Sequence, residues 1–130
     1  MALSYAKLIQ MLQNYGQVLT EHLGSDKIIQ SKDRVLSDKE IHDRDLLWVR
    51  ESDAVVAEVT VPSLGVGYEI GRAIEMGKPV LCIFNSDSEF TLSAMIAGSE
   101  GVVNHSYENL EDLDSILGDF LKANDPDRTS

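Results

Sequence analysis

The chain has 130 residues, of which 43% are hydrophobic and 25% charged, and its formal net charge is -11 at pH 7. This length and composition predict one globular domain with a buried core. The 11 basic residues against 22 acidic ones argue against a broad contact with a nucleic acid backbone, which needs clustered Lys and Arg. The sequence has no apolar run near ~18 residues and no signal-peptide pattern. We therefore expect a cytoplasmic protein without a membrane contact, with the nucleus as the alternative location.

The N-terminal part of the chain has a helical pattern followed by a polar stretch. Residues 3–15 place apolar side chains at the spacing of a helix with one buried face, and residues 18–20 predict a short strand. Residues 23–34 are mostly polar and predict a loop. His22 precedes this loop without a second metal-type residue at a useful spacing. We therefore predict a surface histidine there, and the sequence indicates no metal and no other cofactor.

The next predicted helix begins with a capping box. Ser37 and Glu40 have the required spacing, at which each side chain accepts from a free backbone N–H at the helix start. Asp45 falls within the apolar face of this helix, where an unpaired carboxylate is costly to bury. Either Asp45 has a functional task, or it lies at the margin of the face and reaches solvent or pairs with Arg44 or Arg50.

The central stretch predicts a strand, a glycine-containing turn and a helix, in that order. The β-branched run at residues 53–61 suits a strand buried on both faces of a parallel sheet. Gly65 and Gly67 then allow the backbone to approach a ligand closely, before a helix that runs through Met76 and stops at Gly77. This geometry directs free backbone N–H groups and a partial positive charge at an anion.

Glu69 is the unusual residue of this stretch. We expect it in or near the first turn of the helix, with its carboxylate facing the crevice above the sheet. An acidic residue at a helix N-terminus can simply gain roughly a few tenths of a kcal/mol from the helix dipole. The neighbouring Ser63, Gly65 and Gly67 also look like a ligand cradle, and this favours a functional carboxylate.

The C-terminal half continues the alternation of strands and helices. Cys82 lies in an apolar run, which predicts a buried thiol. Residues 125–130 predict a flexible polar tail after a single domain of residues 1–124. The predicted elements are a strand at 80–84, a polar loop at 85–88, a short helix at 91–97, a short strand at 102–103 with His105 in the loop after it, and a strongly amphipathic helix at 110–121.

This alternation predicts a doubly wound α/β domain with a mostly parallel sheet. In the flavodoxin-like strand order 2-1-3-4-5 the first strand is central, and the loop after it forms half of the ligand crevice. The chain instead opens on a helical pattern. We therefore expect a flavodoxin-like sheet whose first, central strand is missing or is replaced by another pairing.

The chain contains four informative blocks, VLTEH at 18–22, IHDRDL at 41–46, AEVTVPSLGVGYEIGRA at 57–73 and LSAMI at 92–96. In this order they resemble the 2'-deoxynucleoside 5'-phosphate N-hydrolases, relatives of the nucleoside 2-deoxyribosyltransferases. The resemblance runs from about residue 5 to residue 120. It implies a flavodoxin-like homodimer that cleaves the N-glycosidic bond of deoxynucleoside monophosphates, giving a free base and 2-deoxyribose 5-phosphate.

Carried over by position, the resemblance implies roles for individual residues. Glu69 would be the nucleophile on the anomeric carbon, and Asp45 the second carboxylate, which helps the base to leave or orients Glu69. The 5'-phosphate and sugar would be held by Ser63, Gly65 and Gly67. The residues that would reach the active site of the neighbouring subunit are Ser93 and Met95. The site would then be complete only in the homodimer.

The beginning of the chain departs from this pattern. Family members start with a strand containing an aromatic residue and a loop of the type Gly-Ser-Ile-Arg-Gly-Gly, which the first residues here do not match. A truncated chain could act only as an inactive dimerisation partner of a full-length copy. The glycine-then-glutamate turn is also similar to that of phosphoribohydrolases, which act on ribonucleoside monophosphates, although Ser63 and Leu64 stand where those enzymes carry a glycine pair.

Overall fold

The structure is a computed structural model and describes residue 10 and residues 36–124. The predicted helix at 3–15, strand at 18–20, loop at 23–34 and tail at 125–130 lie outside the described residues. Within residues 36–124, helices and strands alternate as the sequence predicts. In chain order they are α1 (Asp38–Glu51), β1 (Val55–Glu58), α2 (Leu64–Glu75), β2 (Val80–Asn85), α3 (Ala94–Ala97), β3 (Val103–Tyr107) and α4 (Leu110–Ala123).

The three strands form a parallel sheet in the order β1-β2-β3. This order corresponds to the last three strands of the flavodoxin-like arrangement 2-1-3-4-5. Because the strands are parallel, their carboxyl ends share one edge, where Glu58, Asn85 and Tyr107 lie. The expectation about the first strand concerns a part of the chain outside the described residues, and it stays an expectation, as does the domain boundary after residue 124.

Helices cover both faces of this sheet, which confirms the doubly wound class. Along β2, Leu81 and Ile83 pack with Leu113 and Leu117 of α4. The alternate β2 residues pack against α1 and α2 in a second cluster, which consists of Val49, Ala57, Ile70, Ala73, Val80 and Cys82. The thiol of Cys82 is buried, as the apolar run around it predicts. No helix within residues 36–124 is long and apolar enough to cross a membrane.

Helix α1 begins and ends as its sequence dictates. The Ser37 hydroxyl accepts from Glu40 N at 3.1 Å, and the Glu40 carboxylate accepts from Ser37 N at 2.8 Å, which confirms the capping box. At the other end, the Lys78 ammonium donates to the backbone carbonyl oxygens of Arg50 and Ser52. This lysine follows α2, so its two hydrogen bonds fix the end of α1 to the turn between α2 and β2.

Two local predictions are wrong, those for the two glycines and for His105. Gly65 and Gly67 belong to the first turn of α2 and not to a loop before it, because the Ser63 side chain starts the helix by capping Val66 N. Glu69 is consequently the sixth residue of α2, in its second turn. His105 lies inside β3, where it pairs with Ile83 in the register of the sheet, and not in a following loop. Backbone pairing with β2 continues β3 beyond its first apolar residue, as far as Tyr107.

Gly77 ends α2 in a left-handed conformation, with a φ of 77°. Its N–H donates to Ile74 O, and Lys78 N donates to Ala73 O, which is the double hydrogen bond of a Schellman motif. A side chain at Gly77 would meet nothing within 4 Å, and the same holds at Gly71 in the middle of α2. The two glycines therefore differ in backbone conformation and not in the room available for a side chain.

Gly77→Ala and Gly71→Ala should change stability in opposite directions. We expect Gly77→Ala to lower the free energy of unfolding by about 1–2 kcal/mol, because an L-residue is strained in the left-handed region. Gly71→Ala should raise it by about 0.5–1 kcal/mol, because glycine is unfavourable inside a helix. Urea unfolding of both variants at neutral pH measures the difference. Equal effects of the two substitutions would contradict the observed helix end.

Candidate active site

Two carboxylates meet where α1 packs on α2. Asp45 lies in the middle of α1, and its side chain is 13% exposed. Glu69 lies one turn inside α2 and is half-buried. Their side chains are close enough to interact, and protonated Glu69 can donate a hydrogen bond to the Asp45 carboxylate. The structure thus brings together, from two helices, the two residues to which the sequence assigns the chemistry.

The contact changes the acidity of Glu69. Burial raises the pKa of Glu69 from 4.5 to about 7, and the negative charge and hydrogen bond of Asp45 act in the same direction. The positive charge of Arg44 opposes this rise. Two carboxylates in contact resist double ionisation. Glu69 can therefore hold or release a proton close to neutral pH.

Arg44 is the cation next to this pair. Its Nε donates to Asp45 Oδ1 at 3.1 Å, and its Nη2 lies 3.1 Å from the same oxygen without an aligned hydrogen bond. The guanidinium carbon stands 4.8 Å from the ring centroid of Trp48, one turn further along α1. The ion pair with Arg44, which the sequence left open for Asp45, is therefore present together with the contact to Glu69.

A second polar contact joins α1 and α2 beside the carboxylates. His42 Nε2 lies 3.0 Å from the Tyr68 hydroxyl, and His42 Nδ1 lies 2.9 Å from Asp43 Oδ1. Arg72 Nη1 donates to the Tyr68 hydroxyl at 2.9 Å. His42 precedes Asp45 by three residues and Tyr68 directly precedes Glu69. The helix pair is therefore held at adjacent points, which limits how far the two carboxylates can separate.

The N-terminus of α2 offers donors to an anion. Ser63 is its N-cap, and Gly67 N donates to Ser63 O, so that Leu64 N and Gly65 N stay without an intrahelical acceptor. The first turn of α2 contains no acidic residue, and Glu69 lies in the second turn. A helix N-terminus of this kind attracts negative charge. Residues 36–124 contain no group of three or more His, Cys, Asp or Glu side chains arranged for a metal ion.

Ser93 is the N-cap and Met95 the second residue of the short helix α3, between β2 and β3. The Ser93 hydroxyl accepts from Met95 N at 3.2 Å and so caps the helix. Both residues are exposed, and the Met95 side chain is 83% exposed. Their assignment to the active site of a neighbouring subunit stays a prediction.

The sequence analysis missed a polar network at the carboxyl edge of the sheet. The Tyr107 hydroxyl donates to Glu58 Oε2, and this oxygen also accepts from the Thr60 hydroxyl at 2.8 Å. Thr60 N donates to Glu58 Oε1 at 2.9 Å, and Asn85 N donates to Thr60 Oγ1 at 2.8 Å. The network fixes the segment between β1 and α2, which leads directly to Ser63. Its only local signal is a charged residue at the end of an apolar strand.

These features define a doubly wound α/β domain with two interacting carboxylates next to a helix N-terminus that follows the strand β1. The family model described as nucleoside 2-deoxyribosyltransferase matches residues 2–116. The chain belongs to this family. The match confirms the resemblance in the four sequence blocks.

Named relatives are similar to this chain over most of its length. A 5-hydroxymethyl-dUMP N-hydrolase of Danio rerio is 52% identical over 121 residues, which are 92% of this chain and 85% of that protein. A 5-hydroxymethyl-dUMP N-hydrolase of Mus musculus is 50% identical over 96 residues, 73% of this chain and 56% of that protein. Among solved structures, the CMP N-glycosidase BcmB of Clostridium botulinum shares the fold, with a TM-score of 0.65 at 22% identity over 89% of this chain and 87% of that one.

Replacing Glu69 should stabilise the protein in a pH-dependent way. Because the pKa of Glu69 is raised from 4.5 to about 7, its contribution to stability is fully present below pH 4.5 and is lost as the pH rises towards 7. Glu69→Gln should therefore be more stable than the natural chain at pH 8 by about 1–2 kcal/mol, after allowance for screening by solvent. The difference should vanish near pH 4.5. Urea unfolding at both pH values measures it, and a pH-independent difference would contradict a raised pKa.

Removing the Tyr107 hydroxyl should destabilise the fold. Tyr107→Phe leaves Glu58 Oε2 with one donor fewer in a part-buried site, at a cost of about 1–3 kcal/mol. Tyr68→Phe is the comparison, because the contacts of that hydroxyl with His42 and Arg72 are exposed to solvent and their loss should cost less than about 0.5 kcal/mol. Chemical unfolding of both variants compares the two costs. Equal costs would show that the buried network does not hold the sheet edge together.

Proposed function

We propose that this chain is a hydrolase that cleaves the N-glycosidic bond of 2'-deoxynucleoside 5'-monophosphates, releasing the free base and 2-deoxyribose 5-phosphate. The observation that carries the proposal is the contact of Glu69 with Asp45 beside the N-terminus of α2. Burial and this contact raise the pKa of Glu69 to about 7. The names of the relatives from Danio rerio and Mus musculus support the same reaction and substrate class.

In the proposed mechanism, ionised Glu69 attacks the anomeric carbon of the deoxyribose. The bond from that carbon to the base nitrogen breaks, and the base leaves with its electron pair and takes up a proton. A water molecule then adds to the anomeric carbon, keeps one proton as the new hydroxyl, releases the other to solvent and displaces Glu69, which leaves as a carboxylate. This is the retaining logic of glycoside hydrolysis. The missing 2'-hydroxyl removes an electron-withdrawing group beside the developing cation, so the bond is easier to break.

Asp45 has a supporting role in this scheme. The Asp45 carboxylate accepts from protonated Glu69 and so orients its side chain before the reaction, and its negative charge makes Glu69 more basic than an ordinary glutamate. A nucleophile with a raised pKa is a better donor to an electron-poor carbon when ionised. The departing base takes its proton from solvent water, because Glu69 has already lost its own proton when it attacks.

The N-terminus of α2 binds the 5'-phosphate and the sugar in this proposal. Leu64 N and Gly65 N are without an intrahelical acceptor, and the Ser63 hydroxyl keeps its proton free because it acts as an acceptor in the cap. Gly67 adds space, since nothing lies within 4 Å of a side chain built there. The chain as a whole is acidic, so recognition of the anion rests on these local donors.

A homodimer completes the site in this proposal, with Ser93 and Met95 reaching the partner's site. Large apolar side chains at the surface support an interface, since Leu64 is 97% and Met95 83% exposed. Leu64 lies in the first turn of α2, next to the proposed phosphate site. The absence of a membrane or nucleic acid partner and the cytoplasmic or nuclear location stay predictions from the sequence.

The proposed function is tested by incubating the chain with a panel of 2'-deoxynucleoside monophosphates, including 5-hydroxymethyl-dUMP, and measuring the free base. We expect release of base, and Glu69→Ala should lower its rate at least about 10³-fold, because the nucleophile is removed. Glu75→Ala is the matched control, since Glu75 ends the same helix and is exposed. It should keep the rate. Faster cleavage of ribonucleoside monophosphates would favour a phosphoribohydrolase instead.

The pH dependence of the reaction gives a second prediction. Because Glu69 must be ionised to attack and its pKa is about 7, kcat/KM should rise as the pH increases through about 7 and then level off. Asp45→Asn should shift this rise to lower pH, since it removes the neighbouring negative charge. Initial rates of both proteins, measured between pH 5 and 9, test these two expectations. A rate that falls over this range would contradict Glu69 as the ionised nucleophile.

A further inference from the structure

The pair of carboxylates poses an electrostatic problem that the proposed mechanism does not resolve. Asp45 is 13% exposed, and Glu69 interacts with it. Ionising the second member of such a pair is unfavourable unless a positive charge is near. The mechanism needs an ionised Glu69 while Asp45 stays beside it. A cation fixed at this position would therefore control the reaction.

Arg44 is placed to be that cation. Its side chain is 23% exposed, and both Nε and Nη2 lie 3.1 Å from Asp45 Oδ1. The guanidinium lies over the ring of Trp48, which keeps the arginine from turning into solvent. Because both contacts go to Oδ1, Arg44 restrains the orientation of the Asp45 carboxylate.

We propose that Arg44 is a positioning residue, which orients Asp45 beside Glu69 and supplies a positive charge that favours the ionised form of Glu69. This inference rests on the proposed function for its catalytic consequence. The electrostatic part, which concerns only the ionisation of Glu69, holds for the free protein as well.

The other charged groups around α2 are engaged elsewhere, within the described part of the chain. The charges that act on Glu69 are those of Asp45 and Arg44, both on α1. Lys39 and His42 contact Asp43, Arg72 contacts the Tyr68 hydroxyl, Glu58 accepts from Thr60 and Tyr107, and burial raises the pKa of the Cys82 thiol to about 11. The other charged side chains of the two helices are exposed near the helix ends: Asp38, Glu40, Arg50, Glu51 and Glu75. Arg44 is thus the positive charge, within the described residues, that lowers the pKa of Glu69.

The test compares Arg44→Gln with Arg50→Gln, which removes the same charge from an exposed position on the same helix. The pKa of Glu69 is read from carbon NMR of the full chain labelled at the glutamate carboxyl carbons, with the Glu69 signal assigned by its loss in Glu69→Gln. We expect Arg44→Gln to raise the pKa of Glu69 by about 1, because it removes a charge that favours ionisation. Arg50→Gln should leave it unchanged.

Kinetics of the same variants give the catalytic readout. A rise of about 1 in pKa lowers the ionised fraction of Glu69 at pH 7 about fivefold, so kcat/KM of Arg44→Gln should fall by about that factor. The rate should approach that of the natural chain at pH 9. Arg44→Lys keeps the charge and should restore most of the rate at pH 7. A merely structural role of Arg44 would instead lower the rate equally at every pH.

The outcomes separate the inference from the proposed function. If Arg44→Gln leaves the pKa of Glu69 unchanged, or if Arg50→Gln moves it equally, the inference is overturned even when the chain hydrolyses deoxynucleotides. If the pKa rises but the natural chain releases no base, the electrostatic role stands and the proposed function fails. If Arg44→Gln does not fold, Arg44→Met, which keeps an unbranched stem over Trp48, is titrated in its place with the same expectation.

Discussion

The contact between Asp45 and Glu69 is the constraint on which this site depends. Two carboxylates meet at the junction of α1 and α2, and burial together with the charge of Asp45 raises the pKa of Glu69. Like charges in contact are unfavourable, so the surrounding structure must hold the two helices together. Arg44 offsets part of the repulsion, and the contact between His42 and Tyr68 fixes the same helix pair.

The sheet positions this junction. Parallel strands bring their carboxyl ends to one edge, and α2 begins directly after the strand β1. At this edge Glu58 binds Thr60 and Tyr107, and so links the segment before α2 to the far strand β3. The nucleophile proposed for the reaction is therefore carried on a helix whose start is anchored by side chains from the sheet. A site on rigid elements keeps its geometry without relying on loops.

Much of this could be predicted from local sequence patterns. The capping box at Ser37 predicts the start of α1, and the apolar run with Cys82 predicts the buried strand β2, since both signals depend on neighbouring residues. The turn assignment of Gly65 and Gly67 was wrong because the Ser63 cap starts the helix before them. The bond between Glu58 and Tyr107 joins residues from different strands, so no pattern along the chain predicts it. The closeness of Asp45 and Glu69 followed only from the family resemblance.

The central claim is that Glu69 forms a covalent bond to the deoxyribose. The most direct test mixes the chain with a 2'-deoxynucleoside monophosphate, quenches the reaction in acid within its first turnover and analyses the intact protein and its peptides by mass spectrometry. The account predicts an adduct with the mass of 2-deoxyribose 5-phosphate less one water, carried by the peptide that contains Glu69 and absent from Glu69→Gln. An adduct on another residue, or the same adduct in Glu69→Gln, would contradict it.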